Sequence, residues 1–271
     1  MHKNIKENNT DYCRNLIKTH DPDRYAVSLF APAKSHAALW ALYAFQHEIA
    51  KTREIVTETQ LGLIRLQWWR EEIEKACRGE VVKEHQVLTP FVEAIQSHDL
   101  PVALFETVLY AREFDLEDVQ PENLDGLIHY ARYTNQPLLE LTQMICGQDI
   151  DSNACEHLGI AYGLIGITRN TLGFARQRRC YLPSEMTKEA GIKMSKLYEG
   201  HPQEGLSAII KVIVTEADRH LDIARQSGLS HPLRALAKLT GLYTRHMKEC
   251  KFDPFHKAFM DEPHFKLVRL I

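Results

Sequence analysis

The sequence predicts an all-α fold, and three observations carry that prediction. Apolar residues recur at helical spacing, as in Trp40, Tyr43, Ala44 and His47, which stand at i, i+3, i+4 and i+7. Strand alternation is scarce, and so are the Asn-Gly and Asp-Gly turns that close hairpins. Prolines stand at segment starts, where a missing N–H leaves no helical bond unmade.

Taken in order, residues 1–20 are polar and Asn-rich and read as a loose N-terminal segment. Pro32 and Ala33 open a long helix whose inward stripe is Trp40, Tyr43, Ala44 and His47. A second helix runs from about Leu61 to Cys77 and stops near Gly79. Leu63, Leu66, Arg70, Ile73 and Cys77 are expected on one face of it, with Trp69 beside them. Thr89–Pro90 and Leu100–Pro101 punctuate the next two helices. Pro121 opens a long segment through Tyr130 to Cys146, ended by Gly147. Ser152 or Asn153 caps a helix to about Thr171, and an irregular stretch then carries Arg176 to Pro183. Two last helices cover about Gln203–Gln226 and Pro232–Lys251. No linker rich in Pro, Gly or Ser divides the chain, so residues 1–271 read as one helical domain.

Composition narrows the function classes. The chain is 44% hydrophobic and 25% charged, with a net charge of −3, so no global basic field points to nucleic acid. Six cysteines are scattered without a C-x-x-C pair, which argues against a zinc site or a disulfide framework and for reduced thiols. The start MHKNIKENNTDY has neither the apolar core of a secretory signal nor the Arg-rich pattern of a transit peptide. That predicts a bacterial cytoplasm rather than a mitochondrial matrix. No apolar run reaches the ~20 residues needed to span a bilayer, so any membrane contact is expected to be peripheral.

Two segments could carry chemistry: WALYAFQHEIAKTREIVTE, and GLIGITRNTLGFARQRRCYLP from Gly163 to Pro183. Neither matches a phosphate loop, a nucleophile elbow or a zinc motif. The wording DRYAVSLFAPAKSHAALWALYAF, followed by LIRLQWWREEIEK, HYARYTNQPLLELTQMICG and RRCYLP, resembles the squalene and phytoene synthases. The resemblance spans roughly Asp11 to Met186. It implies an isoprenoid-synthase-like helical bundle with a central cavity, in which two Asp-rich motifs hold Mg²⁺ and the Mg²⁺ holds prenyl diphosphates. The chemistry needs hard carboxylate oxygens, because a departing diphosphate concentrates negative charge that the metal must neutralise.

Laid on this chain, the first motif (Asp-Asp-x-x-Asp) falls on Ala50, Lys51 and Glu54, and the second (Asp-x-x-x-Asp) on Asn170 and Phe174. Of the five acids the resemblance implies, Glu54 alone has a counterpart here. A single Glu cannot hold a Mg²⁺ cluster against its own hydration, and Lys51 repels a metal. The expectation is therefore no catalytic residue and no resident cofactor. The wording QHEIAKTREIVTETQLGLIRLQWWREEIEK, RNTLGFARQRRCYLP and KFDPF is similar to a non-catalytic branch of the family. That branch includes a mitochondrial complex I assembly factor, so the implied partner is a complex I subunit or assembly intermediate.

Several readings stay open at this stage. Lys51, Arg53, Arg169, Arg176, Arg178 and Arg179 could bind an anion, an isoprenoid or a phospholipid headgroup, since Arg forks suit phosphate; the loop arginines could equally be solvated. Tyr43 and Tyr181 could line a cavity or lock a turn. Trp68 and Trp69 read as one core residue and one packing residue, or as a prenyl cavity wall. Glu48 and Glu54 read as a solvated face or as partners for Lys51 and Arg53. An active prenyl transferase using Mg²⁺ and rearranged acids would need Glu48, Glu54, Glu71 and Glu72 to converge.

Overall fold

The computed structural model describes residues 2–262 and 266–270, and no strand occurs among them. The first helices are α1 (His2–His20), α2 (Pro22–Ser28), α3 (His36–Ala50), α4 (Thr52–Ile55) and α5 (Thr59–Cys77). They continue with α6 (Leu88–Ser97), α7 (Val102–Phe114), α8 (Leu124–Ile145), α9 (Ser152–Arg169) and α10 (Thr171–Arg176). The last are α11 (Ser184–Glu189), α12 (Met194–Tyr198), α13 (Leu206–Gln226), α14 (Leu233–Glu249) and α15 (Lys266–Leu270). The helices group into two compact units. The first unit comprises residues 1–117, 137–151 and 230–233; the second comprises 118–136, 152–229 and 234–271.

In the first unit α3 is the hub, with α1, α6 and α7 packed on it. Its burial is wider than the expected stripe. Tyr43 and Ala44 are buried as predicted, but so are Leu39, Ala41, Leu42, Phe45, Gln46, Glu48 and Ile49, while Trp40 and His47 are half-buried. A helix that is apolar on most sides belongs in an interior. Phe45 stacks on Phe91 at 4.5 Å and meets Trp69 edge-on at 5.2 Å, which ties α3 to α6 and α5.

Two expectations need correction here. Residues 2–20 are not a loose segment: they form α1, because Cys13 and Ile17 lie one turn apart and are fully buried, with Tyr12 and Leu16 packed beside them. The inward face of α5 is Gly62, Leu66, Trp69, Ile73 and Ala76. Leu63 and Arg70 lie on its flank and Cys77 is exposed. Gly62 sets this phase, since an added Cβ would stand 2.6 Å from a methyl of Leu116. Arg70 leaves the core to pair with Glu106 at 2.8 Å and Glu113 at 2.9 Å on α7. Trp69 is the core residue of the Trp pair, and Trp68 packs edge-on against it at 4.9 Å.

In the second unit α9 lies along α13. On another side of α9, an added Cβ at Gly159 would stand 2.8 Å from the backbone nitrogen of Gln136, and one at Gly163 2.7 Å from Asn135. This helix–helix approach therefore needs glycine. The helix expected to run to Thr171 breaks one residue early, at Asn170, and restarts as α10.

Candidate functional site

The first motif place is the end of α3 and the turn into α4. Glu48, on the last turn of α3, is 6% exposed. A buried carboxylate needs a counter-charge, and it has two. Lys51 Nζ donates to one of its oxygens at 2.5 Å and Arg65 Nη2, from α5, donates to the other at 2.6 Å. Glu48 is thus no member of a solvated face. Ala50 carries no donor atom, and Glu54 is exposed on α4. Arg53 folds back, donating from Nη1 to the Val56 carbonyl at 3.2 Å.

The surroundings of this ion triad are aromatic and thiol-bearing. His85 packs on Trp68 and on Trp69, each at 5.7 Å. Its Nδ1 accepts the amide N–H groups of Val87 and Leu88, satisfying orphan donors at the start of α6 and fixing the proton on Nε2. Burial holds His85 below the ordinary histidine range. Burial and then the negative charge of Glu48 push the Cys13 thiol up to about 12. Tyr43 is a core residue whose hydroxyl pairs with Thr142 at 3.0 Å, and burial pushes it up to about 12.

The second motif place is the α9–α10 break. Asn170 starts α10 without a side-chain cap, and a Cβ at Gly173 would collide with its Oδ1. Phe174 packs edge-on against Tyr181 at 4.7 Å, and Tyr181 stacks on Tyr130 at 5.3 Å. Arg179 donates to the Tyr181 hydroxyl and lies 3.6 Å from Asp118. Arg169 lays its guanidinium 3.5 Å from the ring centre of Tyr243.

A Schellman turn ends α10: the Arg179 N–H donates to the Phe174 carbonyl and the Arg178 N–H to the Ala175 carbonyl, both at 2.9 Å. Arg178 takes the left-handed position, φ +58°, which glycine fills at Gly79, Gly147, Gly191 and Gly200. Arg176 and Arg178 are exposed.

The structure therefore divides the basic residues into two classes. Lys51, Arg53, Arg169 and Arg179 are each engaged by a neighbouring group, and Arg176 and Arg178 face solvent. The four glutamates of the rearranged site also separate by role. Glu72 is buried, bonded to Lys75 at 2.7 Å and to the Lys83 amide at 3.0 Å, and Glu71 accepts from Gln67 at 3.0 Å. Among the described residues, no three His, Cys, Asp or Glu side chains gather where a metal could be held. Arg65, Tyr130 and Tyr243 escaped sequence reasoning, because each acts through a partner distant in the sequence.

The squalene/phytoene synthase family model matches residues 17–269. Complex I assembly factor 6 of Bos taurus is 28% identical over 255 residues, 91% of this chain and 76% of that protein. The Homo sapiens protein of the same name is 27% identical over 260 residues, 93% of this chain and 77% of that one. More distantly, the chloroplastic phytoene synthase 1 of Arabidopsis thaliana is 20% identical over 80% of this chain and 53% of that protein. Among solved structures, squalene synthase HpnC from Alicyclobacillus acidocaldarius superposes with a TM-score of 0.77 at 20% identity, covering 91% of this chain and 95% of its own.

Proposed function

The chain belongs to the squalene/phytoene synthase family, and from that premise we propose that it has lost diphosphate chemistry and serves the assembly of respiratory complex I. The observation that carries the reading is the Lys51 ammonium, bonded at 2.5 Å to a buried Glu48 at the first motif place. Mg²⁺ needs anionic or neutral oxygens, and the residues present do not fit it. Ala50 and Phe174 offer no metal donor, Asn170 offers only an amide, and Glu54 is exposed.

The partner in this reading is a complex I subunit or an assembly intermediate, a choice supported by the names and coverage of the relatives. No described helix is long and apolar enough to cross a membrane. The working place we propose is a bacterial cytoplasm, at the inner-membrane surface where complex I is built. The solvent-facing Arg176 and Arg178 suit an anionic phospholipid headgroup there.

Two measurements test the two halves separately. Purified protein given farnesyl or geranylgeranyl diphosphate and Mg²⁺ should release no diphosphate and form no condensed product; turnover would overturn the loss of chemistry. A deletion strain should accumulate complex I subassemblies on native gels. Normal complex I in that strain would overturn the assembly role while leaving the first conclusion standing.

A further inference from the structure

On the α9 helix that ends at the second motif place, His157 faces His220 of α13 with their Nδ1 atoms 2.6 Å apart. The ring centres are 4.8 Å apart, and His220 is 5% exposed. Two ring nitrogens at that distance hold one proton between them: none leaves two lone pairs opposed, and two leaves two N–H groups colliding.

The Arg219 donor favours one placement of the protons. Arg219 Nη2 stands 3.0 Å from His220 Nε2 and can only donate, so that nitrogen carries a lone pair. His220 therefore holds its proton on Nδ1 and donates it to His157 Nδ1, leaving His157 protonated on Nε2. Any further proton must either break the imidazole–imidazole bond at His157 or displace the Arg219 donor at His220.

The charged groups around the pair come from three helices: Glu156 on α9, Arg132 on α8, and Glu216 and Arg219 on α13. Glu216 lies 3.2 Å from His220 Nε2 and favours a charged ring, but Arg219 occupies that carboxylate at 2.6 Å. Arg132 is likewise 3.2 Å from Glu156. Burial is the largest influence on both histidines, and both lie below the ordinary range.

We propose that His157 and His220 form an acid-sensitive latch between α9 and α13, closed by one shared proton and opened by uptake of another. The sign follows from linkage. The unfolded histidines take up protons near pH 6.5 and the folded pair does so only at lower pH. The latch thus contributes fully above about pH 6.5 and is lost as pH falls below it.

The test is denaturant unfolding of the full chain and of His157→Gln between about pH 7.5 and pH 5. Each imidazole that is neutral when folded and charged when unfolded lowers the folding constant by up to about tenfold per pH unit below pH 6.5, so the pair lowers it by up to about a hundredfold, and the variant should keep only the share of His220. Nitrogen-15 imidazole spectra of the wild type provide a second readout that needs no variant. At pH 7.5 they should show one protonated and one bare Nδ1, with neither ring charging while the helices stay packed. Parallel unfolding curves, or two rings titrating independently near pH 6.5 in a packed structure, would overturn the latch.

Discussion

Around Lys51 the chain keeps a buried charge and balances it from within, whereas around Phe174 it replaces charge by aromatic surface. At the first place Glu48 is enclosed and bonded by Lys51 and Arg65. At the second, Phe174, Tyr181 and Tyr130 pack ring against ring, and the nearest cations lean on aromatic faces or on Asp118. The difference teaches that one chain can settle two helix ends by opposite local means, one by paired charge and one by packed rings. It also separates their energetics: the first is electrostatic and fails if one partner is removed, and the second is a packing term that fails gradually.

The largest expected effect comes from breaking the charged side. Glu48→Ala strands two cations and should cost about 3 kcal/mol by chemical denaturation, held to that value because Lys51 and Arg65 keep some contact with water. A neutral result would mean the triad is solvated and the contrast false. Phe174→Ala should cost about 1.5 kcal/mol, less than a fully buried ring, because Phe174 is only half-buried. A loss equal to that of Glu48→Ala would erase the distinction.

Arg178→Gly should stabilise the protein by about 1 kcal/mol, since it relieves a left-handed backbone at an L residue. Weaker binding of that variant to anionic vesicles would show what the strained arginine is kept for. The smallest effect is chemical rather than thermodynamic. Iodoacetamide at pH 8 should label exposed Cys77 first and leave Cys13 intact, its thiol held at about 12 by burial and by Glu48. In Glu48→Ala, Cys13 should label faster than in the wild type, because the variant loses both stability and the charge next to the thiol.

The letters of the sequence carried the helices well, because helical period is local. Helical period and proline placement located α3, α8, α9, α13 and α14 to within a few residues. Ala50, Lys51, Asn170 and Phe174 stand at the motif places only through the resemblance to the synthases, which the letters of the sequence do carry. What stayed hidden was partnership across the chain. Nothing near Arg65 says that it bonds Glu48, and nothing near Arg169 says that Tyr243 lies under it. On α5, Leu66, Ile73 and Trp69 face inward as expected, but Gly62 and Ala76 take the places expected of Leu63 and Cys77, which match the helical period as well. The N-terminal segment was misjudged for a related reason: its polar Asn-rich letters outweighed two cysteine- and isoleucine-bearing turns that bury completely.

The Lys51–Glu48 bond has one further implication. A metal counter-ion is exchangeable: its occupancy follows the concentration of free cation, and a chelator strips it. An ammonium tethered to α3 by its own side chain has fixed stoichiometry, is present from translation onward, and has nothing for EDTA to remove. The charge on Glu48 is therefore balanced by side chains that α3, its following turn and α5 carry themselves.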